Sequence, residues 1–148
     1  MPKTLIIIGS KSDSEYADIC ADQLQKLGIE SDIEISSAHR HPKRTEELTK
    51  NAENNGFDLI IAMAGLSAAL PGVSAAHSNL PVIGVPLPAA LNGMDSLLSI
   101  AQMPPGIPVA TVAIGKPGAK NAAILAGRIL SLKYAEIKKN IEKHRNSL

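Results

Sequence analysis

The consecutive residues Ser36-Ser37-Ala38-His39-Arg40-His41-Pro42 hold hydroxyls, imidazoles and a guanidinium with no bulky apolar side chain among them. Arginine presents a planar fork of donors that fits a phosphate or a carboxylate. An imidazole exchanges a proton near neutral pH. The stretch therefore suits anion binding coupled to proton transfer, with His39, set between small neighbours and Arg40, as the proton carrier. His41, beside Pro42, reads as an exposed cap of the helix that follows. His77 and His144 lie on other helices and are given no role.

A second stretch, Gly9-Ser10-Lys11-Ser12-Asp13, joins an apolar run to a helix start. Exposed N–H groups and hydroxyls at such a junction favour a phosphate, and Asp13 suits sugar hydroxyls. It lacks the second glycine and the GK[ST] ending of a Walker loop, and it is not a GxGxxG fingerprint. The alternative is that Ser12 or Asp13 simply caps the helix. A third turn, Ala64-Gly65-Leu66-Ser67, is made of small residues around one leucine. No His, Cys, Asp or Glu spacing points to a metal.

These turns need a frame. Thr4 to Ile8 and Asp58 to Met63 are continuous apolar runs, the pattern of strands covered on both faces. Pro81 to Pro86 and Val109 to Ile114 read as further strands. Ser31 to Ser36 alternates polar and apolar, which suits an edge. Helices are expected from Ser12 to Leu27, where Ser12 and Glu15 have capping-box spacing and Gly28 is the stop. Others are expected from Pro42 to about Asn55, over the alanine-rich segment ending near Ser78, from Asp95 to Ala101, from Lys116 to about Leu132 and from Lys133 to about His144. Strand and helix alternate five times, so the class is α/β with a parallel sheet. With the polar strand at the edge, the sheet order is 2-1-3-4-5, and the switch point falls between strands one and three. The three turns above lie at that point.

Composition sets the outer bounds. The chain has 148 residues, 45% of them hydrophobic and only 2% aromatic, so a single domain with an aliphatic, alanine-rich core is expected over 1–148. Small side chains let subunits pack closely. A formal net charge of +1, without a strong cluster of either sign before the C-terminal segment, gives no nucleic-acid footprint and no membrane surface. Cys20, alone, makes no disulfide framework and reads as buried filler. Met1-Pro2-Lys3 runs straight into a strand without signal-peptide order, so a cytoplasmic protein is expected.

Several of these motifs together resemble the PurE family of purine biosynthesis. They are Gly9 to Asp13, Ser37-Ala38-His39-Arg40 with Pro42, Ala64-Gly65 with Leu70-Pro71-Gly72, the run from Asp95 to Thr111, and Asn121 to Ala126. The resemblance implies a flavodoxin-like three-layer sandwich with a C-terminal helix, assembled as a homo-octamer with sites at subunit interfaces and no metal or cofactor. It implies conversion of N5-carboxyaminoimidazole ribonucleotide into 4-carboxyaminoimidazole ribonucleotide through released CO2. His39 would be the general acid/base. Ser10, Asp13 and Arg40 would bind substrate, with Ser12, Ser37, Gly65 and Ser67 beside them. The family's mutases carry a second histidine where this chain has Ala69. Ser67 and Ala69 are similar instead to the family's direct carboxylases, which use aminoimidazole ribonucleotide and free CO2, whereas Arg40 and the Gln102 to Val109 loop are mutase-like. His41 replaces a usual threonine and offers a partial substitute for the missing imidazole. A non-catalytic nucleotide-binding or receiver-like module is the remaining alternative. A receiver needs an acidic cluster after strands one and three, and only Asp13 is present there.

Overall fold

A computed structural model describes residues 1–148. Five parallel strands form one sheet in the order β2-β1-β3-β4-β5. They are β1 (Lys3–Ile8), β2 (Glu30–Ile35), β3 (Leu59–Ala64), β4 (Val82–Pro86) and β5 (Ala110–Thr111). The helices are α1 (Ser14–Lys26), α2 (Pro42–Lys50), α3 (Leu70–His77), α4 (Met94–Ala101), α5 (Lys116–Leu130) and α6 (Ala135–Asn146). This is the flavodoxin-like arrangement that the alternation of apolar runs and helical stripes predicts. None of the helices is long and apolar enough to cross a membrane.

Successive strand side chains point to opposite faces, and β1 from Leu5 on, β3 and β4 carry no polar side chain, so both faces are covered. Ile6, Ile8, Ile61, Met63, Ile83 and Val85 pack with α1, α5 and the Ile137 side of α6. Leu5, Ile7, Ile60, Ala62 and Val82 pack on the other face with Leu70 of α3 and Ile100 of α4. The alternating strand β2 is the edge, and its apolar Ile33 and Ile35 remain exposed. Cys20 is buried filler, and burial pushes its thiol up to about 12.

Five elements differ in their bounds from the expectation. The Ser12–Glu15 capping box does not form. Lys11–Asp13 instead make a tight 3-10 turn, α1 starts at Ser14, and no side chain caps it. Ser14 donates back to the Lys11 carbonyl at 2.7 Å, while Ser12 shares a 2.5 Å hydrogen bond with Ser10. Helix α2 ends at Lys50 rather than near Asn55, and the chain reaches Gly56 (φ 87°) through turns. Helix α5 ends at Leu130, and α6 begins only at Ala135. Strand β5 keeps two ladder residues of the six expected. The Val112 N–H still reaches the Gly84 carbonyl at 3.2 Å. The return bond of a parallel ladder would come from residue 86, which is proline and has no N–H to give.

Candidate active site

Three strand-to-helix loops rise from the carboxyl ends of β1, β2 and β3, at the point where the strand order reverses. Between them lies a cleft of about 520 Å³. Its lining includes Ser10, Ser12 and Asp13 from the first loop, Ser37, His39 and Arg40 from the second, and Gly65 and Ser67 from the third, the residues expected to meet substrate. A parallel sheet explains the convergence. β1 sits between β2 and β3, so their outgoing loops are neighbours however far apart they lie in sequence.

Each loop is shaped locally. In the first, the 3-10 turn leaves the Ser10 and Ser12 hydroxyls bonded to each other and free of capping duty, available to an incoming anion. Asp13 follows them into the cleft. Burial raises its carboxyl above the usual range, and a backbone hydrogen bond from Ser10 offsets this only in part. Such a desolvated carboxylate gains from hydroxyl donors supplied by a ligand. In the second loop, the Arg40 N–H donates to the Ser37 hydroxyl at 3.1 Å and the His41 N–H to the Ser37 carbonyl at 2.8 Å. The turn thus projects His39 and Arg40 outward, and both are exposed. In the third loop, a side chain at Gly65 would press on the Leu87 carbonyl at 3.3 Å, so glycine permits the close approach of the β4 exit. Leu66 next to it holds a left-handed backbone (φ 57°), a costly conformation for leucine.

Ala69 lines the cleft, so its small apolar side chain is part of the wall. His41 does not. It is the exposed residue that precedes α2. His77 is turned to its own helix, with Nδ1 2.9 Å from the Val73 carbonyl. Ala38 and Leu66 come from the loops expected at the cleft, whereas Ala89 comes from a segment that sequence reasoning did not place there. Ala89 belongs to the exit from β4, where Leu91, Asn92 and Gly93 take successive left-handed conformations (φ 48°, 54° and 88°). An Asn-Gly pair after a leucine is the only signal of that kink. A comparable hollow of about 470 Å³ lies at the amino ends of the strands, lined in part by Lys3, Asp22, Glu30 and Asp32. There Lys3 and Asp32 already satisfy each other at 2.7 Å.

The cleft can therefore hold an anion between hydroxyls and a guanidinium, accept sugar hydroxyls at a carboxylate, and present an imidazole to a reacting group. Comparison with known proteins gives the family of the chain. The family described as AIR carboxylase matches residues 3–148. A protein of Pyrococcus abyssi named N5-carboxyaminoimidazole ribonucleotide mutase is 53% identical over 149 residues, covering 100% of this chain and 84% of its own. One of Saccharolobus solfataricus with the same name is 54% identical over 144 residues, covering 97% and 90%. Among solved structures, Treponema denticola PurE matches with a TM-score of 0.88 at 34% identity, over 99% of this chain and 91% of that one.

Proposed function

The chain belongs to the AIR carboxylase family, and from that membership we propose that it is an N5-carboxyaminoimidazole ribonucleotide mutase, an isomerase of purine biosynthesis. The observation that carries the reading is the gathering of Ser10, Ser12, Asp13, His39 and Arg40 in one cleft. In this reading Arg40 and the two hydroxyls grip the substrate phosphate, and Asp13 accepts the ribose hydroxyls. Gly65, Ser67 and Ala69 form the wall beside the base.

The chemistry then needs one proton carrier. The bond between the exocyclic nitrogen and its carboxylate breaks, releasing CO2, and protonated His39 gives that nitrogen a proton. The ring carbon attacks CO2 and forms the new carbon–carbon bond. Neutral His39 then removes the proton from that carbon, which restores both the aromatic ring and the imidazolium. No net proton is consumed. CO2 must stay dry and close between the two steps, which small, close-packed walls favour.

Direct carboxylation of aminoimidazole ribonucleotide is the second reading, supported by Ser67 and Ala69. The mutase names of relatives at 53% and 54% identity favour the first. Supplying purified protein with each substrate in turn separates them. Carboxylated product is expected from N5-carboxyaminoimidazole ribonucleotide without added CO2. Turnover only with aminoimidazole ribonucleotide and CO2 would overturn the mutase assignment. The enzyme acts in this reading as a cytoplasmic homo-octamer. The exposed Leu66, Leu91, Met94 and Leu98, on the third loop, the β4 exit and α4, support burial against further copies.

A further inference from the structure

We propose that Ser36 and Thr45 are positioning residues of the proton-transfer loop: a buried pair of hydroxyls that ties its two ends together and so fixes where His39 and Arg40 stand. The inference rests on the mutase reading of the cleft. The hydrogen bonds of this loop run between its backbone and the hydroxyls of Ser36, Ser37 and Thr45, and none involves the imidazole of His39. An exposed ring without a partner is aimed only by the backbone that carries it.

That backbone is clasped at its base. Ser36 directly follows β2, and its N–H donates to the Ile8 carbonyl at 2.9 Å, which anchors it to β1. Its side chain meets the Thr45 hydroxyl at 2.7 Å. Ser36 is 1% exposed and Thr45 0%, so neither hydroxyl has water as an alternative partner. Each hydroxyl has one proton. Thr45 lies 3.1 Å from the His41 carbonyl and 3.3 Å from that of Ser37, both acceptors only, so its proton goes to them. Ser36 is then the donor to Thr45. The result is a directed chain from the end of β2 through Thr45 to the carbonyl of His41, across the mouth of the loop.

Alternatives to this arrangement would be cheaper if packing were all that mattered. Thr45 is in the first turn of α2 and fully buried, where valine has the same shape without a hydroxyl to satisfy. Arg44, one residue earlier, adds an outer strap to the Ile35 carbonyl at 3.1 Å and to Glu34 at 2.8 Å. It is exposed, and such pairs contribute little. The inner hydroxyl pair is the rigid one. Misplacing a reacting group by about 1 Å costs on the order of a hundredfold in rate, so a loosened base is felt at His39.

Thr45→Val is the test, with Thr45→Ser and Ser36→Ala beside it. In Thr45→Val, kcat is expected to fall about ten- to a hundredfold and KM to rise by a smaller factor, because Arg40 shifts with the loop while Ser10, Ser12 and Asp13 still hold substrate. Thr45→Ser restores kcat to within about threefold. Amide hydrogen exchange gives a readout independent of turnover. The Arg40 and His41 amides should exchange faster in Thr45→Val while those of β1 and β3 are unchanged. Should Thr45→Val not fold, Ser36→Ala, which keeps the Thr45 bonds to the carbonyls, carries the same comparison. A Thr45→Val enzyme with wild-type kcat, or one whose exchange rises evenly through the sheet, would overturn the proposal. Failure of the mutase reading looks different: the wild type itself would not convert N5-carboxyaminoimidazole ribonucleotide.

Discussion

At the scale of residues, His39 stands in the exposed part of its loop, with Arg40 next to it and Asp13 in the facing loop. General acid–base transfer by a positioned side chain contributes roughly a hundred- to ten-thousandfold. His39→Asn keeps the size and a hydrogen-bonding edge but cannot carry the proton between nitrogen and carbon. We expect kcat to fall by about that factor with substrate affinity nearly unchanged, as titration calorimetry against steady-state rates would show; a variant that keeps its turnover would remove His39 from the mechanism. The residues of this site were legible because their chemistry is carried in side chains that have no other reason to sit between a strand and a helix. Ala89 was not, since an alanine has no chemical signature and reaches the cleft only through the path of the backbone. His41, one residue further along the turn, precedes α2 and lies outside the cleft lining.

At the scale of elements, the apolar runs set the strands, and the errors occurred where one backbone group decides the outcome. Val109 to Ile114 has the composition of a strand, yet Pro86 across from it cannot return a hydrogen bond, and the ladder stops after Thr111. The capping box failed because Ser14 bonds back to Lys11 and the chain tightens before the helix. The short β5 makes the next junction depend on α5. Gly118, in the first turn of α5, lies so close to the strand exit that a side chain there would overlap the Ala113 backbone carbonyl. A carbonyl in the main chain cannot swing aside like the end of a side chain. Gly118→Ala must therefore push α5 off the sheet, at a cost of about 3 kcal/mol, the upper end of what overpacking usually costs. The urea midpoint should fall accordingly. An unchanged midpoint would mean that the α5 start yields without disturbing its buried Ala119, Ala122 and Ala123.

At the scale of the whole molecule, chemistry and stability occupy opposite poles of the sheet. The carboxyl ends of the strands carry the cleft. The amino ends carry Asp58, whose carboxylate accepts hydrogen bonds from the Lys3 N–H at 3.2 Å, Lys133 Nζ at 3.0 Å and the Tyr134 hydroxyl at 3.1 Å. It joins the start of β1 to the link between α5 and α6, residues 55 and more apart in sequence. No local pattern announces such a junction, which is why the sequence offered α6 only as a docked helix. Desolvation alone would raise the Asp58 carboxyl, but the bonds from Lys133, Lys3 and Tyr134 outweigh it and hold it below its ordinary value of 3.8. A carboxyl with a lowered folded pKa binds protons less readily folded than unfolded. Its contribution is therefore complete above 3.8 and lost as pH falls through the folded value. Asp58→Asn removes the charge and mismatches an amide against the Lys133 ammonium, and breaking a charged hydrogen-bond set of this kind costs about 1–3 kcal/mol. The variant should unfold at lower urea than the wild type at pH about 7, and the gap should narrow as pH falls below 3.8 and through the lowered folded value, where the wild-type carboxyl becomes neutral. The cleft lies at the other pole, so kcat should be unchanged at neutral pH. A gap that persists undiminished into acid would show that Asp58 acts through shape rather than charge.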